Sequence, residues 1–175
     1  MPVSSCTLKG FTLIELMITL SIAAILLVLA APSFETIIQN NRAVTLTNNF
    51  VTSLQLARGE AIKRGQTVSV CAASTTTQTA CGNATHWNNG WIVFVDDNND
   101  GVIANTADRL YLQQAPAAGT TIVTTQSRIS FASTGFVASG AGSIVLAATG
   151  CSGTHARTLS VANTGRISVA HTNCP

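Results

Sequence analysis

The chain has 175 residues, 46% apolar and only 9% charged, with a net charge of +2. That composition excludes a disordered chain, and so few charges exclude a polybasic nucleic-acid arm. Roughly 140 residues follow the N-terminal apolar run, enough for one modest domain with its own core.

The charges are unevenly spread. All the acids (Glu15, Glu35, Glu60, Asp96, Asp97, Asp100 and Asp108) precede position 109, whereas residues 109–175 hold Arg109, Arg128, Arg157, Arg166, His155 and His171. A weakly basic face toward a polyanion is one reading; chance in a charge-poor chain is the plainer one.

Residues 1–10 carry Lys9 as their only charge and end in Gly10. Residues 11–31 are then almost uninterruptedly apolar, with Glu15 as the single exception. About 20 such residues suffice for a helix to cross a bilayer. A carboxylate in that helix costs roughly 2.5–3.5 kcal/mol on insertion scales, so Glu15 demands a compensating partner. A secretory signal would have a shorter apolar core and a small-residue cleavage site, and here Ala30-Ala31 runs into Pro32. Lys9 before the run favours a cytoplasmic leader.

The stretch Lys9-Gly10-Phe11-Thr12-Leu13-Ile14-Glu15-Leu16 resembles the type IV prepilin processing motif. The resemblance implies cleavage between Gly10 and Phe11 by a prepilin peptidase, N-methylation of Phe11, and loss of Cys6 with the leader. It also gives Glu15 its partner. In a fibre of packed helices, a neighbouring subunit's Phe11 amine can lie beside Glu15, and a subunit out of register leaves both charges unpaired. A glutamate snorkelling from a helix end is the blander account.

Pro32 predicts a bend, after which the helix resumes to about Arg64 with Gly65 as terminator. Ile37, Val44 and Val51 recur every seven residues, and Phe50, Leu54, Ala57 and Ala61 follow at helical spacing, predicting one apolar face packed on a sheet. Beyond Gly65 the period changes to two. Strands are predicted at 67–73, 90–95, 109–113 as partner of the last, 121–125, 128–132, 135–138, 143–148, 158–162 and 166–170. The layout is α+β: a long N-terminal helix, then a many-stranded antiparallel sheet. By segment it reads as a leader over 1–10, a transmembrane and assembly helix over 11–31, and a globular domain over 32–175.

Without Cys6, four cysteines remain: Cys71, Cys81, Cys151 and Cys174. An even number in an exported domain argues for two disulfides. Of the three connectivities, the sequence-local pairs Cys71–Cys81 and Cys151–Cys174 are expected, each contributing about 2–4 kcal/mol.

The segment from Gly90-Trp91 through Phe94, Asp96 and Asn98 to Asp100-Gly101 is similar to a signature of the GspH/FimT class of minor pilins and pseudopilins. The tail, Cys151 … Thr164-Gly165-Arg166-Ile167 … Cys174, resembles the FimT side of that class, whose members include FimU-like pilins. What this resemblance implies is a type IV pilin fold and a single pass through the bacterial inner membrane, with the domain in the periplasm. Incorporation near the tip of a pilus would follow, with other minor and major pilins and an inner-membrane assembly platform as partners. A minor pseudopilin of type II secretion is the alternative.

FimT-type pilins used in DNA uptake resemble one another in a Gly-Arg-x-Arg motif. Here it reads Gly165-Arg166-Ile167-Ser168, so the second arginine is a serine. Alternate strand residues share a face, which would put the family's two guanidiniums on one phosphate track. Arg166 is then the leading candidate for contacting double-stranded DNA, with Arg157, His155 and His171 as compensating groups.

Other constellations are weaker. Asp96, Asn98, Asp100 and Gly101 match the opening of a calcium loop, but Ala107 stands where a bidentate acid belongs, and a turn explains the same residues. Cys151, His155, His171 and Cys174 have fair zinc spacing, yet two thiols in an oxidising compartment pair with each other. There is no nucleophile elbow, phosphate loop or metal-binding His-Glu helix. No catalytic residue, cofactor or metal is expected.

Overall fold

The computed structural model describes residues 10–175, with the side chains of residues 28–33 outside the description. Among the described residues there is one α-helix, α1, Leu13–Arg64. The chain divides into two compact units, Met1–Ile37 and Ile38–Pro175.

In the first unit, the side chains of α1 from Leu13 to Leu27 are exposed, including Ile14, Leu16, Met17, Ile18 and Leu20. A helix that is apolar all round belongs in lipid or among other helices, not in water. Among the described residues, no helix is long and apolar enough to cross a membrane. The described side chains of the apolar run stop at Leu27, short of the about 20 residues that a span requires. The bend expected at Pro32 also falls among residues 28–33, outside the described side chains.

The second unit begins with the remainder of α1. Its buried stripe is Leu46, Phe50, Leu54, Ala57 and Ala61, spaced by three or four residues as a helix face requires. The seven-residue series is not that stripe: Ile37 is exposed, and Val44 and Val51 are only half-buried at its margin. Gly65 ends the helix in the left-handed conformation, φ 68°, which a Cβ would oppose. Its N–H donates to Ala61 O at 3.0 Å, which satisfies one of the last free carbonyls.

Nine strands follow. They are β1 (Val68–Ala72), β2 (Trp91–Val95), β3 (Arg109–Gln113), β4 (Thr120–Val123), β5 (Arg128–Phe131), β6 (Val137–Ser139), β7 (Gly142–Ala148), β8 (Ala156–Val161) and β9 (Ile167–Thr172). Instead of one sheet they form two antiparallel ones, ordered β3-β2-β1-β5-β6 and β4-β7-β8-β9. Nine twisting strands in a single sheet would carry the outer ones away from the helix. Split in two, both sheets reach it.

One core results. Val70 and Val93 of the first sheet, Leu146 and Leu159 of the second, and the helix stripe belong to the same buried cluster. At its centre Phe50 lies between two tryptophans, 5.1 Å from the ring of Trp87 and 4.9 Å from that of Trp91, both tilted. The far face of the first sheet buries Cys71, Ala73, Ile92 and Phe94 in a second cluster, so β1 is buried on both sides. The sheets are joined at their turns by Val137 N–H donating to Asn163 O at 2.9 Å.

Candidate functional site

Three sites singled out in the sequence have their geometry here. The first is the start of α1. Thr12 precedes the helix, and its Oγ1 accepts the backbone N–H of Glu15 at 3.3 Å, a loose cap. Thr12 and Glu15 are three apart, the spacing of a capping box, and that signal could have marked Thr12 as part of the site. The Glu15 carboxylate is exposed and makes no ion pair among the described residues. Among the described residues nothing answers its charge. Phe11, beside it, is 78% exposed.

The second site is the turn after β2. Asp96 is buried, and both its oxygens are committed to the protein. Ser69 Oγ and Arg128 Nη1 each donate to Oδ2 at 2.6 Å, and Gly101 N–H donates to Oδ1 at 3.1 Å. The Ser69 hydroxyl also meets that of Ser130 at 2.7 Å, which extends a polar chain across the sheet. Asp100 accepts Val102 N–H through Oδ1 at 2.7 Å, and Asn98 Nδ2 through Oδ2 at 2.7 Å. This is a turn stapled by its own side chains. The sequence marked Asp96 and missed its partner, because Arg128 lies on β5, three strands after β2 in the chain.

The third site is the tail. Cys71 is bonded to Cys81 and Cys151 to Cys174, with Cα–Cα distances of 5.6 and 5.9 Å. The sulfurs of Cys151 and Cys174 therefore hold each other and offer no thiolates to zinc. Arg166 is exposed, and its guanidinium makes no hydrogen bond or ion pair among the described residues. His171 is exposed and its Nδ1 lies 3.4 Å from Thr154 O; His155 is half-buried.

Arg157 is elsewhere. It is only 7% exposed, and its guanidinium donates to Asn40 Oδ1 at 2.8 Å and to the carbonyls of His155 and Ala156 at 3.1 and 3.2 Å. The expectation that it would join Arg166 on a DNA-facing surface is corrected. In β8, Arg157 has the same parity as Leu159 and Val161, which are core residues, so the pleat turns it inward. Arg58 was not anticipated at all. Its Nε donates to Gly135 O at 2.9 Å and its Nη2 to Thr164 O at 3.4 Å, clamping the turn that presents Arg166. In that turn Gly165 has φ +77°, and a Cβ on it would stand 2.1 Å from Gly135 O.

The family model described as type II transport protein GspH matches residues 46–165, from the core stripe of α1 to the β8–β9 turn. The chain belongs to the GspH family. A second model, the prokaryotic N-terminal methylation motif, matches residues 9–31 and so contains Gly10, Phe11 and Glu15. No curated protein sequence matches this chain. Among solved structures, two crystal forms of the type IV minor pilin FimU from Pseudomonas aeruginosa are similar. The form in space group P21 has a TM-score of 0.54 at 20% identity, with 74% of this chain and 89% of that one covered. The form in space group P65 has a TM-score of 0.52 at 20% identity, with 74% and 90% covered.

The GspH-family domain and the methylation motif place the chain among the minor pilins and pseudopilins of the FimT/GspH class, and its fold is the type IV pilin architecture of a helix packed on antiparallel sheets. The GspH match ends at Gly165, so Arg166, His171 and Cys174 lie beyond it.

Proposed function

We propose that this GspH-family chain is a minor pilin of a type IV pilus. Prepilin peptidase cleaves it between Gly10 and Phe11, Phe11 is N-methylated, and residues 11–31 hold it in the inner membrane with the domain in the periplasm. From there it enters the fibre near the tip and helps initiate assembly. Its role is structural, not catalytic.

The observation that carries this reading is the carboxylate of Glu15, without an ion pair among the described residues at the head of an apolar helix whose side chains are exposed. An apolar bundle of such helices hides the exposed surface, and the amine of a neighbour's Phe11 neutralises the acid. The pair then rewards one register over others. Mass analysis of the mature protein tests the reading. A mature chain beginning with methylated Phe11 supports it; a chain beginning elsewhere removes the amine and overturns it.

A second reading, a minor pseudopilin of type II secretion, draws on the description of the matching family as a type II transport protein. Deleting the gene separates the two. Loss of surface fibres supports the pilus, and loss of exported enzymes with fibres intact supports secretion.

A further inference from the structure

Between α1 and the loop joining β3 to β4 runs a groove of about 350 Å3. Leu46 and Trp91 form its floor, with Ile38 on one wall and Pro116 and Ala117 on the other. Arg42 stands at the rim. Its side chain is exposed and makes no hydrogen bond or ion pair among the described residues. Its guanidinium lies against the bare backbone of Gly119, where a Cβ would come within 2.7 Å of Nη1. Glycine there, at φ +82°, leaves room for the arginine beside the groove.

An apolar trough with one unanswered cation fits an apolar segment that brings a carboxylate. The wall that α1 contributes, positions 38, 42, 45, 46 and 49, recurs at helical spacing, so the trough follows the helix axis and has the form that receives another helix. This chain carries a segment of that description. Phe34 and Ile37 are 64% and 55% exposed, one turn apart, and Glu35 beside them is exposed without an ion pair among the described residues.

We infer that the groove receives residues 34–37 of a second copy of this chain, with the copy's Glu35 meeting Arg42 and its Phe34 and Ile37 covering the exposed faces of Ile38, Pro116 and Ala117. The surface that inserts and the surface that receives are different. A single such contact leaves a groove free on one copy and a Glu35 free on the other, so further copies can be added. The inference takes its context from the fibre-subunit reading but is tested apart from it.

The experiment uses the full chain in detergent, carrying Cys6→Ser. Two differently tagged preparations are mixed and oxidised, one carrying Ala117→Cys and the other Phe34→Cys. The expected result is a cross-linked heterodimer in yield at least tenfold above a control pair of Thr52→Cys with Phe34→Cys. Arg42→Glu in the first chain should remove that excess, and Glu35→Arg in the second should restore it. Yield no higher than the control, or yield indifferent to Arg42→Glu, overturns the inference and returns the groove to some other occupant. Buried tryptophan fluorescence in each variant shows that the domain remains folded. The start of the mature chain is read separately, so a failed fibre reading and a failed groove contact give different results.

Discussion

Asn40 on the helix and Arg157 on β8 are joined by a hydrogen bond of 2.8 Å across 117 positions of sequence, and this bond withdraws from the surface a cation that the sequence had offered to DNA. Arg157→Ala should therefore behave as a core substitution. It leaves Asn40 Oδ1 without its donor and opens space beside Leu159, so a loss of about 2–3 kcal/mol is expected in urea unfolding. Affinity for DNA in the folded variant should be unchanged.

Arg166→Ala should do the reverse. Stability is expected to stay within about 0.5 kcal/mol, because the side chain is exposed and unbonded. If the domain binds duplex DNA, one lost phosphate contact lowers the slope of log affinity against log salt by about one unit. A salt series on both proteins measures this. No binding at low salt, or identical slopes, would remove Arg166 from any DNA-contacting role.

Glu15→Ala should be processed and inserted like the parent, since neither step requires the carboxylate to be paired. It should assemble poorly into fibres, because only the contact between subunits is lost. The ratio of variant to parent in sheared fibres, at equal membrane levels, is the measurement, and undiminished incorporation speaks against the pairing.

Asp96→Ala removes the acid that receives Ser69, Arg128 and Gly101 at once, and strands the guanidinium of Arg128 at a partly buried site. A loss of about 3–5 kcal/mol is expected, as for other buried pairs broken on one side. Denaturant midpoints report it, and a change below about 1 kcal/mol would mean that the turn is held by Asp100 and Asn98 alone.

Near the end of α1, Arg64 Nε donates to Glu60 Oε2 at 2.6 Å, and Lys63 lies 3.5 Å from the other oxygen. The hydrogen bond from Arg64, with the two positive charges, holds the Glu60 carboxyl below its ordinary value. Lowered in the folded state, this group stabilises the domain above the unfolded glutamate's pKa, and that contribution fades as pH falls through the lower, folded value. Glu60→Gln should flatten this part of the stability curve on the acid side. An NMR titration midpoint for Glu60 at or above that of a free glutamate would contradict the assignment.

Much of the architecture could be read from residue spacing. The end of the helix at Gly65, the strand at Trp91 and its pairing with the strand at Arg109 each follow from a local pattern: a left-handed cap, a run of β-branched and aromatic residues, a turn rich in Asp and Asn. What escaped is non-local. The division into two sheets depends on how far twisted strands can follow one helix, which no single window contains. The inward turn of Arg157 was legible in principle, since it alternates with Leu159 and Val161, but an arginine among serines and threonines reads as surface unless the parity is counted. Arg58 and Arg128 act on residues 77 and 32 positions away, and spacing says nothing of such partners.

Phe50, wedged between Trp87 and Trp91 while its stripe closes over both sheets, has a mechanical consequence. Tension along the helix axis from residue 38 onward cannot unzip one layer and spare the other, because the same row of side chains is the keel of each. The domain should resist shear as a single body up to one rupture force.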